Sequence, residues 1–234
     1  KSPEKFRQDY DKLLVFSKDL NDKLHTLQIK EDLRALLISA ILIALEDNAF
    51  KKAYKDYTDA KQLTRFLIDT TINQFEKAKL QNTKIEDLRV VYQQITIVDG
   101  LVKNIKNIRD LITAIDENIN NFIRTHEYFD VLGQLYIEFL RYANSDKGLG
   151  IVLTPPHITE FMAKLGEVNK NSVVYDSCTG TGGFLVSAMK LMIDDAKGDL
   201  EKIKEIKAKK LIGVENKSHI FALACSNMFI HQDG

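Results

Sequence analysis

The residues best suited to chemistry lie in one glycine-rich stretch, Val174-Tyr-Asp-Ser-Cys-Thr-Gly-Thr-Gly-Gly-Phe-Leu185. Its pattern predicts a strand that ends at Asp176, a tight turn, and a helix that begins near Gly183. Glycines let the backbone turn sharply and let a ligand approach the main chain without a Cβ in the way. The N-terminus of the following helix favours a negative group, such as a carboxylate or a phosphate. The stretch therefore predicts a binding site for a ligand with an anionic group.

Spacing separates the ligand classes that use such a loop. A dinucleotide fingerprint requires G-x-G-x-x-G; Gly180 and Gly182 fit it, but Leu185 stands where the third glycine belongs. A phosphate loop requires a lysine after its last glycine, and none follows here. An acidic residue before a G-x-G-G turn instead suits an adenosyl ligand with an amino-acid tail, because Asp176 can attract the ammonium group while the turn holds the carboxylate.

A second carboxylate, Glu215, ends the next predicted strand, Leu211-Ile-Gly-Val-Glu215. A carboxylate there can accept hydrogen bonds from both ribose hydroxyls of an adenosine that lies across the strand ends, as acidic residues do in dinucleotide folds. Taken alone, Asp176 or Glu215 would be explained as a solvated strand end. Together, on either side of Gly180–Gly183, they favour a binding site.

Glycine and proline usage divides the chain into two parts. There is no proline between Lys5 and Thr154, whereas nine of the eleven glycines lie at or after Gly148. This difference predicts an all-helical domain over residues 1–147 and an α/β segment over residues 148–234. The second part alternates strand, glycine loop, helix, strand and helix, which is typical of the start of a doubly wound parallel sheet. Because only two strand patterns occur, we expect this sheet to be cut short at Gly234.

The helical part contains one strongly apolar pattern and one long repeat. Apolar residues from Leu33 to Ala44 occupy most sides of the predicted helix, which indicates a central, buried position. A second set repeats every seven residues, as in a coiled coil, with an interruption at Asp99-Gly100. Its two rows are Val91, Val98, Ile105, Ile112 and Ile119, and Leu101, Ile108, Ile115 and Phe122. The rows could be offered to a partner subunit or packed inside this domain.

Composition argues against several classes of protein. Thirty-three Lys and Arg balance 33 Asp and Glu, which does not favour a domain built mainly to bind a polyanion, although a local patch could still bind nucleic acid. Cys178 and Cys225 are too few for a disulfide framework or a cysteine-rich zinc site. No apolar run approaches the ~18 residues that a membrane span needs. We therefore expect a cytoplasmic protein without a metal site.

Four segments, in this order, resemble successive motifs of the N6-adenine DNA methyltransferases. They are Leu153-Thr-Pro-Pro-His-Ile-Thr-Glu-Phe-Met162, Asp176-Ser-Cys-Thr-Gly-Thr-Gly-Gly-Phe-Leu185, Gly213-Val-Glu215 and Asn227-Met-Phe-Ile-His-Gln-Asp-Gly234. The resemblance is to the modification subunits of type I restriction–modification systems and their fused relatives. It is specific from Gly148 to Gly234 and weaker over Leu33–Phe50.

The resemblance implies a Rossmann-like class I methyltransferase domain that uses S-adenosylmethionine. Asp176 and the glycine turn would hold the methionine part, Glu215 the ribose, and Asp233 would lie near the adenine, while the segment around Thr154 would close the methionine end. Ser177 stands where the family often has proline. The cofactor-binding residues so implied are Leu153, Thr154, Pro155, Asp176, Ser177, Gly180, Thr181, Gly182, Gly183, Glu215 and Asp233.

The Thr154-Pro-Pro-His157 segment also has two explanations that need no cofactor. Thr154 as N-cap with Pro155 at the first helical position would make a good helix start. The segment also loosely resembles the Asn/Asp-Pro-Pro-aromatic motif that grips the target adenine in this family, although threonine lacks the amide. The true motif does not occur in these 234 residues, so the sequence assigns no catalytic residue.

The leading hypothesis is a site-specific DNA methyltransferase that transfers a methyl group to adenine N6 within a restriction–modification system. Its partners would be double-stranded DNA, a DNA-specificity subunit or domain, and a restriction (nuclease) subunit or domain. These 234 residues would hold the cofactor half of the site and be inactive alone. Two alternatives stay open: a class I methyltransferase that acts on RNA or protein, and a non-catalytic helical assembly module with a cofactor-binding domain.

Overall fold

The computed structural model describes residues 3–78, 80, 82–141 and 153–232. The chain forms two compact units, the first from Lys1–His126 and Leu135–Ser145, the second from Glu127–Gln134 and Asp146–Gly234. Residues 127–134, which precede the boundary expected from the sequence, thus group with the second unit. The expected boundary itself, between residues 147 and 148, lies outside the described residues.

The described residues of the first unit form helices joined by turns and loops, with no strand among them. Its last helix begins in the second unit and ends in the first. The elements are α1 (Pro3–Thr26), α2 (Glu31–Ala44), α3 (Asn48–Ala53), α4 (Ala60–Lys77), α5 (Asn82–Gln93), a 3₁₀ turn (Gln94–Ile97), α6 (Asp99–Val102), α7 (Ile105–Ile115), a π-helical stretch (Asp116–Asn120), α8 (Asn121–Thr125) and α9 (Val131–Arg141).

Helix α2 forms the centre of the first unit. Every residue from Leu33 to Leu45 is buried, including the polar Arg34 and Ser39, and α4 packs against the helix. An α-helix that is apolar on nearly all sides is stable only when neighbours cover all of them. The predicted central helix is therefore confirmed.

The seven-residue repeat does not form one long helix. All but Val98 are spread over α5, α6, α7, the π-helical stretch and α8, and Val98 has an extended backbone that separates α6 from the preceding 3₁₀ turn. Seven of the nine repeat positions are buried, while Val98 and Ile105 are half-buried. The structure thus favours packing inside the unit over a face offered to a partner.

Besides the start of α9, the described residues of the second unit form a two-stranded parallel sheet and four helices, in the order that the sequence predicts. Strand β1 pairs with β2 in the register Val174↔Leu211, Tyr175↔Ile212 and Asp176↔Gly213. The elements are α10 (Pro156–Leu165), β1 (Val174–Asp176), α11 (Gly183–Ala196), α12 (Leu200–Lys209), β2 (Leu211–Gly213) and α13 (Ser218–Ile230).

Helices α11 and α12 cover one face of this sheet. Met192, Ala196 and Ile206 form a buried cluster against which Val174 of β1 and Leu211 of β2 pack. On the other face, the side chains of Tyr175 and Ile212 are 63% and 45% exposed. The described residues therefore show a parallel sheet with helices packed on one face.

The start of α10 differs from the sequence expectation. The helix begins at Pro156 with Pro155 as its N-cap, so Thr154 is not the cap and Pro155 is not the first helical residue. The cause is the second proline: a residue before proline is pushed out of the helical region, and Pro155 accordingly has φ −59° and ψ 143°. Pro156 then takes the first helical position, where a missing N–H costs nothing.

None of the described helices is long and apolar enough to cross a membrane.

A buried hydrogen bond between α2 and α5 offers a test of the helical core. Ser39 Oγ donates to the Leu36 carbonyl at 2.8 Å, so the Tyr92 hydroxyl, 2.7 Å away, donates to Ser39. Tyr92→Phe removes this donor and leaves a buried oxygen short of a partner, which should lower the free energy of unfolding by about 1–2 kcal/mol.

Urea unfolding measures this change. Tyr57→Phe is the matched control, because the half-buried Tyr57 hydroxyl makes no hydrogen bond to any described residue. Equal effects of the two substitutions would show that the Ser39–Tyr92 bond contributes nothing.

Candidate functional site

The two strands end at the same edge of the sheet, and the loops that follow them are hydrogen-bonded to each other. The Val214 N–H donates to the Asp176 carbonyl at 2.9 Å, and the Thr179 N–H donates to the Val214 carbonyl at 3.0 Å. Because these bonds continue the parallel pairing beyond the strands, the glycine loop after β1 lies against the segment that carries Glu215.

Asp176 presents one satisfied and one unsatisfied carboxylate oxygen. Its Oδ1 accepts a hydrogen bond from the Cys178 N–H at 3.0 Å. Its Oδ2 is buried and has no partner within the described part of the chain. A buried polar atom without a partner is unfavourable and is often explained by a ligand. A cationic donor such as an ammonium group would satisfy this oxygen.

Glu215 is fixed by two main-chain donors. The Gly180 N–H donates to Oε2 at 3.0 Å, and the Lys217 N–H donates to Oε1 at 2.8 Å. An ionised carboxylate has about four lone-pair sites, so both oxygens can still accept bonds from ligand hydroxyls. Glu215 therefore ties down the glycine loop while it stays able to bind.

The glycine loop leads into a helix whose N-terminus no described side chain caps. Gly180 and Gly182 have φ of +57° and +93°, a region that favours glycine. Gly182 is the N-cap of α11 and supplies no side chain to the first turn. The first N–H groups of a helix have no partner inside the helix, so this end of α11 suits an anionic group.

Gly213, the last residue of β2, makes room for the loop. A Cβ at this position would lie 2.5 Å from Thr179 Oγ1 and 3.0 Å from Leu185 Cδ1. Thr179 cannot move freely, because its hydroxyl donates to the Asp176 carbonyl at 3.0 Å. A side chain at residue 213 would therefore disturb the loop.

The other residues that the sequence predicts for the site differ in exposure and in contact with the glycine loop. Leu153 reaches the loop, since its Cδ2 lies 3.4 Å from where a Cβ on Gly180 would be. Thr154 is half-buried, whereas Pro155 and Ser177 are exposed. Asp233 lies outside the described residues.

Thr181 turns into the protein, toward Asp130, which no sequence motif includes, and Asn227, which begins the fourth motif segment but was given no role. Thr181 is 1% exposed, and its hydroxyl lies 3.1 Å from Oδ2 of Asp130. Asn227 of α13 donates to Oδ1 of Asp130 at 2.8 Å and to the Thr181 carbonyl at 2.9 Å. Burial of the Asp130 carboxyl group raises its pKa to about 6.

The segment that carries Asp130 is also attached to the end of α13. Burial lowers the pKa of His231 to about 4, and its imidazole is hydrogen-bonded to the main chain of Phe129. Lys207 donates to the His231 carbonyl at 2.8 Å, and the rings of Tyr128 and His231 lie 5.9 Å apart. Neutral His231 therefore helps to hold residues 127–134 in the second unit.

Gly213→Ala should destabilise the second unit and displace the loop, because the new Cβ would overlap Thr179. Overpacking of this kind costs roughly 1–3 kcal/mol, which urea unfolding measures. Gly166→Ala is the control, since a Cβ there would meet its nearest neighbour at 3.4 Å. A Gly213→Ala protein as stable as the control would contradict the described loop position.

His231 predicts a pH dependence of stability. Its folded pKa lies below the ordinary value of 6.5, so the unfolded chain takes up a proton first as the pH falls. The stability that neutral His231 contributes is therefore lost from about pH 6.5 toward pH 4. Between pH 7 and pH 5, wild type should lose roughly 2 kcal/mol more unfolding free energy than His231→Gln.

Urea titrations at the two pH values test this expectation. The exposed His157 provides the control substitution His157→Gln. Equal pH slopes for wild type and His231→Gln would refute it.

Among the described residues there is no group of three or more His, Cys, Asp or Glu that could hold a metal ion.

Comparisons with known proteins agree with these motifs. Residues 127–233 match the family model N-6 DNA Methylase. The chain is 32% identical over 216 residues to the "Type II restriction enzyme and methyltransferase RM.BcgI" of Heyndrickxia coagulans, covering 88% of this chain and 34% of that protein. It is 28% identical over 142 residues to the "Type I restriction enzyme EcoEI methylase subunit" of Escherichia coli, covering 61% of this chain and 28% of that protein.

A solved structure is also similar to part of the chain. It is a modification subunit of a putative type I restriction enzyme from Vibrio vulnificus, with 22% identity and a TM-score of 0.45 over 63% of this chain and 29% of that one. The chain spans about a third of the length of the curated relatives. The resemblance expected from the sequence motifs is confirmed: residues 127–233 match the N-6 DNA Methylase family model, and the chain is similar to methyltransferases of restriction–modification systems.

Proposed function

We propose that the protein is a DNA methyltransferase that transfers a methyl group from S-adenosylmethionine to adenine N6, as part of a restriction–modification system. One observation supports this most strongly: Asp176 and Glu215 lie at the carboxyl ends of paired parallel strands, and the glycine loop that follows Asp176 is hydrogen-bonded to Glu215. The family match over residues 127–233 supports this chemistry and this class of substrate. The domain with these strands would then be the start of a doubly wound, Rossmann-like sheet.

The residues present fit S-adenosylmethionine. The unpartnered Oδ2 of Asp176 can accept a hydrogen bond from the ammonium of its amino-acid tail. The uncapped N-terminus of α11 favours the tail's carboxylate. Glu215 has lone pairs left for the ribose hydroxyls. Leu153 and Thr154 would border the methionine end, and Asp233 would lie near the adenine.

When bound, this cofactor supplies an electrophilic methyl group. The chain's own residues contribute binding and orientation, which is how positioning accelerates a reaction between two bound groups. Gly180 and Gly182 let the main chain come close to the ligand. Asp176 would hold the amino-acid tail, and Glu215 would hold the ribose. Ser177, which follows Asp176, is small, uncharged and exposed.

We propose that the target adenine is held by residues other than these 234. No Asn-Pro-Pro or Asp-Pro-Pro motif occurs in the 234 residues, so we propose that they supply the cofactor half and do not methylate DNA alone. A target adenine must leave the duplex before its amine can be reached. Double-stranded DNA, a specificity subunit or domain, and a nuclease subunit or domain are the proposed partners, with the cytoplasm as the site of action.

Asp176→Ala should weaken S-adenosylmethionine binding by roughly 10- to 100-fold, because a hydrogen bond to a charged group contributes roughly 1.5–3 kcal/mol. Isothermal calorimetry on the native protein measures the affinity, and circular dichroism confirms that the helical unit stays folded. Asp194→Ala is the control, since Asp194 is exposed near the end of α11. Unchanged affinity in Asp176→Ala would refute this role.

The substrate class needs a separate measurement. Transfer of a labelled methyl group by the native protein and its specificity partner should occur on duplex DNA, at adenine, and not on RNA or protein. Methylation of RNA or protein alone would replace the DNA proposal. Tight cofactor binding without any transfer would favour a non-catalytic assembly module.

A further inference from the structure

We propose that Asp130 is a positioning residue that holds the glycine loop in its binding conformation through Thr181 and Asn227. The inference deepens the proposed function, because it rests on the loop being the cofactor site. Asp130 itself does not reach the open side of the loop, since its carboxylate lies behind Thr181, which is buried.

Asp130 makes more bonds than an ordinary helix cap. It directly precedes α9, and its Oδ1 accepts from the Gly133 N–H at 2.7 Å, as an N-cap does. Unlike the simple cap Asp199, which accepts from the Lys202 N–H, Asp130 also accepts bonds from two elements distant in the chain. Those bonds, to Thr181 and Asn227, are not needed to start a helix.

The two distant bonds fix Thr181 on both its side chain and its main chain. The Thr181 hydroxyl donates to Asp130 Oδ2, and its carbonyl accepts from Asn227, which in turn donates to Asp130 Oδ1. Thr181 stands between Gly180 and Gly182, whose positive φ values shape the turn. Holding Thr181 therefore restrains the two most adaptable residues of the loop.

Two glycines leave space for this carboxylate. A Cβ on Gly133 would overlap the Asp130 carboxyl group, and a Cβ on Gly183 would lie 3.0 Å from Asp130 Oδ2. Gly183 begins α11, so Asp130 lies directly beside the start of the helix that the loop feeds. A side chain at either glycine would therefore displace the carboxylate from its bonds to Thr181 and Asn227.

Substitution by serine separates capping from loop positioning. Serine is a good N-cap, so Asp130→Ser can keep the bond to Gly133, but it is too short to reach Thr181 and Asn227. Asp130→Asn keeps the shape of the side chain, and its amide can still hydrogen-bond to the Thr181 hydroxyl. This variant should therefore keep most of the loop's protection from exchange and most of its cofactor affinity. Asp199→Ser is the matched control, because it makes the same change at a simple cap in the same unit.

The readouts are amide hydrogen exchange over residues 176–186 and S-adenosylmethionine affinity. Asp130→Ser should speed exchange of the loop amides by at least about tenfold and weaken S-adenosylmethionine binding by a similar factor. Exchange of the amides around Met192 in α11 reports any general destabilisation of the unit. Asp130→Asn should lie close to wild type. Thr181→Val, which leaves the cap intact, should speed loop exchange as well and keeps the test valid if Asp130→Ser does not fold.

The outcomes separate this inference from the proposed function. Loop exchange in Asp130→Ser and Thr181→Val equal to that in Asp199→Ser, or increased only in step with the Met192 region, would overturn the positioning role. Absence of S-adenosylmethionine binding by the wild-type protein would overturn the proposed function, whereas the exchange result would still decide whether Asp130 positions the loop.

Discussion

The hydrogen bond from the Gly180 N–H to the Glu215 carboxylate is the interaction on which the candidate site depends, because it joins the loops that follow two separate strands. It forms only when β1 and β2 are paired in the observed register. A shift of one residue would move Glu215 to the opposite face of the sheet. That register is held from behind by the apolar cluster around Met192 and Ile206. Packing on the covered face of the sheet therefore determines the geometry at its edge.

Local signals were enough to predict α2 and the strands and helices of the second unit. The apolar run that became α2 needed no knowledge of its neighbours, since a helix apolar on all sides has few stable positions other than a core. The strands around Val174 and Leu211 were likewise found from short β-rich runs. The start of α10 was predicted wrongly because Thr154 suits an N-cap, while the restraint that Pro156 places on Pro155 decides where the helix begins.

The residues of the candidate site could be predicted only in part from the sequence. Asp176 and Glu215 could be identified because each ends a strand pattern in the sequence; in the structure Asp176 is the last residue of β1 and Glu215 lies two residues beyond β2. Asp130 could not, because its partners Thr181 and Asn227 lie 51 and 97 positions away and a lone aspartate before a helix is explained by capping. One signal was available: Asn227 is a large polar residue in the largely apolar helix α13, and the structure leaves it only 1% exposed. A buried amide needs partners, which the sequence does not name.

The charges around the loop favour a ligand that carries both signs. Three carboxylates, of Asp130, Asp176 and Glu215, lie on or behind the loop, and residues 174–185 contain no Lys or Arg. A phosphate chain would find only the N-terminus of α11 favourable and would be repelled by the carboxylates. In the proposed function, a ligand with an amino-acid tail would place its ammonium at the unpartnered oxygen of Asp176. Because that ammonium offsets the charge of the ligand's own carboxylate, the negative charge around the loop would favour such a ligand over a phosphate chain, which carries no cation.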